Sequence, residues 1–180
     1  TQLVGAHNYQ NLEGAKAVCN EIGIYSTEFT SSINGFKGAA KRLEVITERE
    51  GFIAFRDFAH APSKLKATQA GVVGSFPNRK VTAVFELHTF SSLNKNFLPQ
   101  YVDSMNSVDK AIVFYDPKVV EHKRLPAISP EEVKNAFKRE DLEVITSVEE
   151  LSSRLKEIPS ENHCLLLMSS GRFGGAELPF

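Results

Sequence analysis

The segment NHCLLLMSSGRFGG, residues 162–175, decides the architecture. Its apolar core, from Cys164 to Met168, is too short for a helix. Its consecutive apolar positions suit a strand buried on both faces. It runs directly into a loop of Ser and Gly, and strand ends of this kind present ligands in open α/β sheets. KVTAVFEL (80–87) and KAIVFYD (110–116) have the same character, and FIAFRDF (52–58) and Leu142–Thr146 complete the set.

Helical signals separate these strands. Residues 62–73 open on Pro62, which suits a first helical turn. Ser129-Pro130-Glu131-Glu132 is a capping box, and Ser147-Val148-Glu149-Glu150 is a second, opening a helix to about Glu157. From residue 52 the predicted order is β-α-β-α-β-α-β-α-β. That alternation implies a Rossmann-like, mainly parallel α/β sheet with helices on both faces. LEVIT (43–47) pairs with 52–58 across Glu48–Gly51 as a β-hairpin, giving about six strands.

Toward the N-terminus, residues 8–22 predict a helix with Leu12, Ala15, Val18, Cys19 and Ile22 on one face, ended by Gly23. Residues 25–37 are rich in Ser, Thr and Gly without clear periodicity and read as a linker. The 180 residues are 42% hydrophobic and 24% charged, enough for a self-sufficient core. A net charge of −1 argues against a generic binder of nucleic acid or anionic membrane. No apolar run approaches the roughly 20 residues that span a bilayer. The start at Thr1, without a leader pattern, suggests a piece of a longer protein. Cys19 and Cys164 read as buried thiols of a reducing, cytoplasmic setting, and no spacing suggests a metal cage.

Chemistry is expected just after the strands. Asp57 and His60 follow the first parallel strand; a carboxylate there accepts two ribose-type hydroxyls, or merely caps the next helix. His88, Ser91 and Asn94 follow the second strand in a cluster of donors that also suits an ordinary polar loop. Ser169 and Arg172 follow the last, where glycines let backbone approach an anion. Upstream, His7, Asn8 and Asn11 open the first helix; Asn amides read an adenine edge or cap the helix. Arg42 suits a phosphate through its planar fork, or belongs to a solvated turn.

In combination, these segments resemble the Mur ligase family. The H-N-x-x-N helix (His7, Asn8, Asn11), the Gly38–Leu43 element with Arg42, the Asp57-Phe58-Ala59-His60-Ala61-Pro62 element and the Met168–Gly171 strand end with Phe173-Gly174-Gly175 follow the family's order. The similarity is greatest to the muramate branch, whose members join L-alanine or a peptide to UDP-N-acetylmuramate. It departs at Ala61, where that branch doubles the His, and after the second strand, where it has Arg.

The resemblance implies an ATP- and Mg²⁺-dependent amide-forming ligase of peptidoglycan synthesis or recycling, acting through an acyl phosphate. No Gly-x-x-x-x-Gly-Lys-Ser/Thr occurs here. The chain is therefore expected to be the C-terminal domain: 1–24 a helix left from the central ATPase domain, 25–37 a hinge, 38–180 the domain proper. Mg²⁺ would be held mainly by the absent central domain, and the chain alone would be inactive. By the same resemblance, His7, Asn8, Asn11, Arg42, Asp57 and His60 would contact ATP, with Arg42 on the γ-phosphate. His88, Ser91, Asn94, Ser169 and Arg172 would lie near the incoming amine. The partners would be the missing domains, a UDP-muramoyl substrate and an amino acid or peptide. The competing reading is a standalone, non-catalytic α/β module that binds a nucleotide or peptide.

Overall fold

A computed structural model describes residues 3–36 and 38–178. Thr1, Gln2, Lys37, Pro179 and Phe180, at the edges of the expected segments, lie outside the described residues. The chain forms α1 (Ala6–Glu21), α2 (Ser26–Ile33), β1 (Glu44–Arg49), β2 (Phe52–Asp57), α3 (Pro62–Ser75), β3 (Lys80–Glu86), β4 (Lys110–Phe114), α4 (Pro117–His122), α5 (Pro130–Phe137), β5 (Glu143–Ile145), α6 (Val148–Lys156) and β6 (His163–Met168). The sheet order is β1-β2-β6-β3-β4-β5. Only β1 runs antiparallel, as the hairpin partner of β2.

The segment 162–175 does what its composition requires. β6 is buried along its whole length and is flanked on both sides, by β2 and by β3. Alternate residues feed two cores. Cys164, Leu166 and Met168 join Leu65 and Val72 of α3 and Val133 and Phe137 of α5; Leu165 and Leu167 join Leu151 and Leu155 of α6. Helices thus cover both faces, and the ends of β2, β6 and β3 lie side by side.

Caps account for the helix starts. Ser129 accepts from the Glu132 N–H at 3.2 Å while the Glu132 carboxylate accepts from the Ser129 N–H at 2.7 Å. At α6 only half of the expected box forms: Ser147 accepts from the Glu150 N–H, and its hydroxyl donates to Glu149 instead.

Two expectations change. The stretch 25–37 is not without structure, for it contains α2; the Glu28 carboxylate accepts the Tyr25 N–H, and Phe29 and Ile33, one turn apart, are half-buried. The crossover from β3 to β4 contains no α-helix, only a 3-10 turn at Leu98–Tyr101. Asn94, Asn96 and Pro99 favour turns, and the burial of Leu93, Leu98, Tyr101 and Met105 holds the loop in place. Cys164 is buried, but Cys19 is only half-buried, and both are free thiols. Among the described residues no helix is long and apolar enough to cross a membrane.

Candidate functional site

A cleft of about 790 Å³ lies between α1, the segment after α2, the end of β2 and the start of α3. Leu12, Ala15, Ile33 and Phe36 give it an apolar wall; His7, Asn8, Asn11, Arg42 and Asp57 give it a polar edge. Three segments far apart in sequence therefore converge on one cavity. α1 is set against α3 by glycine: a side chain on Gly71 would come within 2.9 Å of the Gly5 Cα.

Asp57 is 4% exposed and is engaged from three directions. Its Oδ2 accepts the Leu43 N–H at 2.8 Å, and its Oδ1 accepts the Ala59 N–H at 2.7 Å and the Thr68 hydroxyl at 3.3 Å. A carboxylate offers about four acceptor positions, so one remains on a residue that lines the cleft. The Leu43 bond matters because the loop presenting Arg42 is strained. Lys41 and Leu43, on either side of Arg42, adopt φ of +56° and +47°, which non-glycine residues avoid. The Phe58 N–H donates to the Lys41 carbonyl at 2.8 Å, and the Lys41 N–H to the Glu44 carboxylate at 2.9 Å. Arg42 itself is exposed, with its guanidinium 5.8 Å from the Phe58 ring centre. The Asn8 amide nitrogen donates to the Val4 carbonyl at 2.7 Å, and among the described residues its amide oxygen accepts no hydrogen bond.

His60 is not among the residues lining this cleft. Its Nδ1 lies 3.0 Å from the Phe58 carbonyl, and its own carbonyl accepts the Tyr101 hydroxyl at 2.6 Å. Burial pushes that phenol well above its ordinary pKa, so it stays a neutral donor. Sequence reasoning missed Ser63, Lys64 and Thr68, which also line the cleft from α3. Their signal was position: the first turns of a helix that follows a strand end.

The residues expected around the acceptor divide. Ser169 and Arg172 line a second cleft of about 370 Å³. His88 sits behind it, its Nδ1 3.4 Å from Glu86. Ser91 lies 3.1 Å from the Thr89 hydroxyl and Asn94 accepts the Asn96 N–H at 2.9 Å, so both serve turns of the 88–109 loop and line neither cleft. The buried Glu86 was not anticipated as a site residue. It accepts the Ser169 hydroxyl and, at 2.8 Å, the Phe173 N–H. The Ser169 oxygen in turn accepts the Gly171 N–H at 2.6 Å. Gly171 must be glycine, since a Cβ would lie 2.8 Å from both Glu86 Oε2 and His88 Cγ.

With this geometry in hand, known proteins resolve the family. The model of the Mur ligase, glutamate ligase domain matches residues 41–171. A UDP-N-acetylmuramate–L-alanine ligase of Desulfitobacterium hafniense is 28% identical over 93% of this chain and 37% of its own length. The chain thus spans little more than a third of that relative. Among solved structures, UDP-N-acetylmuramate–alanine ligase from Thermotoga maritima superposes with a TM-score of 0.74 at 17% identity, over 97% of this chain and 36% of that one. A MurF ligase from Thermotoga maritima in complex with ADP superposes with a TM-score of 0.66 at 16% identity, over 94% of this chain and 36% of that one.

Proposed function

The chain belongs to the Mur ligase family, and on that premise we propose that it is the C-terminal domain of an ATP-dependent ligase joining an amino acid or peptide to a UDP-muramoyl substrate. The single observation that carries this reading is the convergence of His7, Asn8, Asn11, Arg42 and Asp57 on one cleft with an apolar wall. A purine suits the apolar wall, and the polar edge suits a ribose and phosphates. Residues 1–24 would then be the last helix of the central domain, 25–37 the hinge and 38–180 the domain proper.

ATP, when bound, supplies the phosphoryl group that activates a carboxylate for attack by an amine. This chain's residues position it. Leu12, Ala15, Ile33 and Phe36 exclude water from the base, and the Asn8 and Asn11 amides orient it. Asp57 uses its one remaining acceptor position for a ribose hydroxyl. Arg42, and Lys64 beside the N-terminus of α3, neutralise phosphate charge. Preorganised cations of this kind supply most of the catalysis in phosphoryl transfer. The residues present do not fit a Mg²⁺ site. Among the described residues no three acidic, His or Cys side chains gather, and Asp57 and Glu86 are occupied by internal donors. Mg²⁺ is therefore assigned to the rest of the enzyme.

The test is phosphate release by the full-length protein with ATP, UDP-N-acetylmuramate and a panel of amino acids and peptides. Arg42→Ala should lower kcat about tenfold or more while the KM for UDP-N-acetylmuramate stays unchanged. The 180-residue chain should be inactive. Turnover by that chain on the order of 1 s⁻¹ would overturn the reading, as would a full-length protein that binds nucleotide without catalysis.

A further inference from the structure

A third cleft, of about 390 Å³, lies at the end of the sheet opposite the other two, where β3, β4 and β6 begin. Its wall is apolar, with Val73 and Phe76 from the end of α3 beside Val81 and Val108. Its rim carries Asn78, Arg79, Asn162 and the Lys80–Asp109 pair. That pair is closed, because Asp109 accepts from Lys80 Nζ at 2.6 Å and from the Val81 N–H at 2.9 Å. Arg79 is open. It is half-buried, its guanidinium lies 5.3 Å from the Phe76 ring centre, and it has no carboxylate partner among the described residues. Three buried side-chain atoms lack a hydrogen-bond partner among the described residues: Arg79 Nη1, Ser104 Oγ and Ser170 Oγ. Only the first belongs to a charged group. The nearby Cys164 thiol does not balance that charge, since burial pushes the thiol up against the opposing pull of Arg79 and keeps it neutral. Nη1 has thus lost water without gaining an acceptor, and an anion beside the guanidinium offsets that cost.

We propose that this cleft binds a small organic anion, with its acid group on Arg79 and its apolar body against Val73, Phe76 and Val108. Nη1 is closed off from solvent, so the acid group meets the guanidinium on Nε and Nη2, an edge whose two parallel N–H groups match an oxyanion. The side-chain amides of Asn78 and Asn162 add donors at the rim. The volume is in the range of small-molecule sites. The first turns of α3 line the first cleft and its end lines this one. Ligands of the two clefts therefore sit at opposite ends of one helix and do not compete.

Titration calorimetry and hydrogen exchange on the full-length protein test this with three probes: benzoate, inorganic phosphate and ATP. Benzoate should slow exchange at residues 78–81, 107–109 and 162, and saturating ATP should leave its affinity unchanged. Arg79→Gln should weaken benzoate about tenfold or more, the worth of one charge-assisted pair. Because Arg79 also covers Phe76, a second variant spares that contact. Asn78→Asp, at an exposed turn position that suits Asp, adds a carboxylate at the rim and should weaken benzoate by a similar factor. Phosphate, which has no apolar body, should bind about tenfold more weakly than benzoate. The site is overturned if benzoate fails to bind, protects other residues, survives both substitutions or is displaced by ATP. The organic-anion assignment is overturned if phosphate binds as tightly as benzoate.

Discussion

Two buried carboxylates stand on either side of β6. Asp57 ends β2 and Glu86 ends β3; each is 4% exposed, and each holds a loop that borders a cleft. They do it differently. The short Asp57 side chain binds backbone N–H groups of its own loop and of the segment before β1, so it fixes the strained turn that carries Arg42. The longer Glu86 reaches across to the loop after β6 and fixes Ser169 and Phe173. One carboxylate therefore serves the residue toward the proposed nucleotide, and the other serves the wall of the second cleft. Neither is a free reagent, and their chemistry is exerted through the cations they help place.

Breaking Asp57 should have the largest effect. Asp57→Ala leaves the buried Leu43 and Ala59 N–H groups without acceptors and releases the positive-φ turn. Each orphaned donor costs about 1–3 kcal/mol, so urea unfolding should show a loss of about 2–6 kcal/mol. Glu86→Ala orphans the Phe173 N–H, while the Ser169 hydroxyl can turn to water in the cleft it lines, so it should cost one such penalty, about 1–3 kcal/mol, by the same measurement. The order is the point. If Glu86→Ala proves more damaging than Asp57→Ala, the strained turn is not what Asp57 holds. Asp57→Asn, which keeps one acceptor oxygen, should fall between wild type and Asp57→Ala.

The difference between the two carboxylates also shows what the sequence could tell. Asp57 was singled out in the sequence as a strand-end carboxylate, but not for the bonds it makes: it does not cap α3, whose N-cap is Ala61, and one of its donors, the Leu43 N–H, lies fourteen residues upstream. Glu86 acts on residues more than eighty positions away, and no short pattern announces such a pairing. The strands were legible because five of the six are dense in apolar residues. The helix α2 was not, because its Ser and Thr obscure the half-buried pair Phe29 and Ile33. A helix in the 88–109 crossover was expected only from the alternation of elements; its Asn and Pro residues favour turns instead. Arg56 was quoted in the sequence but given no role, since only the fold shows that it, Lys41 and Arg172 share a space.

Gly171→Ala sharpens the Glu86 side. The added methyl meets Glu86 and His88 at once, and overpacking of this kind costs about 1–3 kcal/mol. Urea unfolding should show that loss while ATP binding at the first cleft stays intact; a loss of ATP binding as well would show that the two loops are not independent. The opposite end of β6 gives a smaller contrast. His163 is buried, with its Nε2 2.8 Å from the Thr82 hydroxyl. Burial lowers its pKa below 6.5, against a raising influence from Asp109. Folding thus disfavours its protonated form. This contribution is full above pH 6.5 and is lost as the pH falls below that value. Wild type should lose at most about 1.4 kcal/mol per pH unit from this source, and His163→Gln should remove that part of the slope below pH 6.5. An unchanged slope would mean that the ring titrates normally in the fold.

The smallest effect tests whether the first cleft has a wall as firm as its floor. The floor is Asp57, at the edge of the main core. The wall is α1, which has no buried residue and leaves Val18 and Ile22 exposed at 64% and 70%. Gly14 lies mid-helix with nothing within 4 Å of a Cβ placed there. Gly14→Ala should therefore stabilise the helix by about 0.5–1 kcal/mol, through the lower backbone entropy of alanine in the unfolded chain. Where that gain appears is decisive. If α1 opens as a separate unit, hydrogen exchange should slow about two- to fivefold for α1 amides alone, with residues 163–168 and the urea midpoint unchanged. A gain in global stability instead would show that α1 unfolds with the sheet, and that Gly5 against Gly71 binds the wall to the floor as one cooperative body.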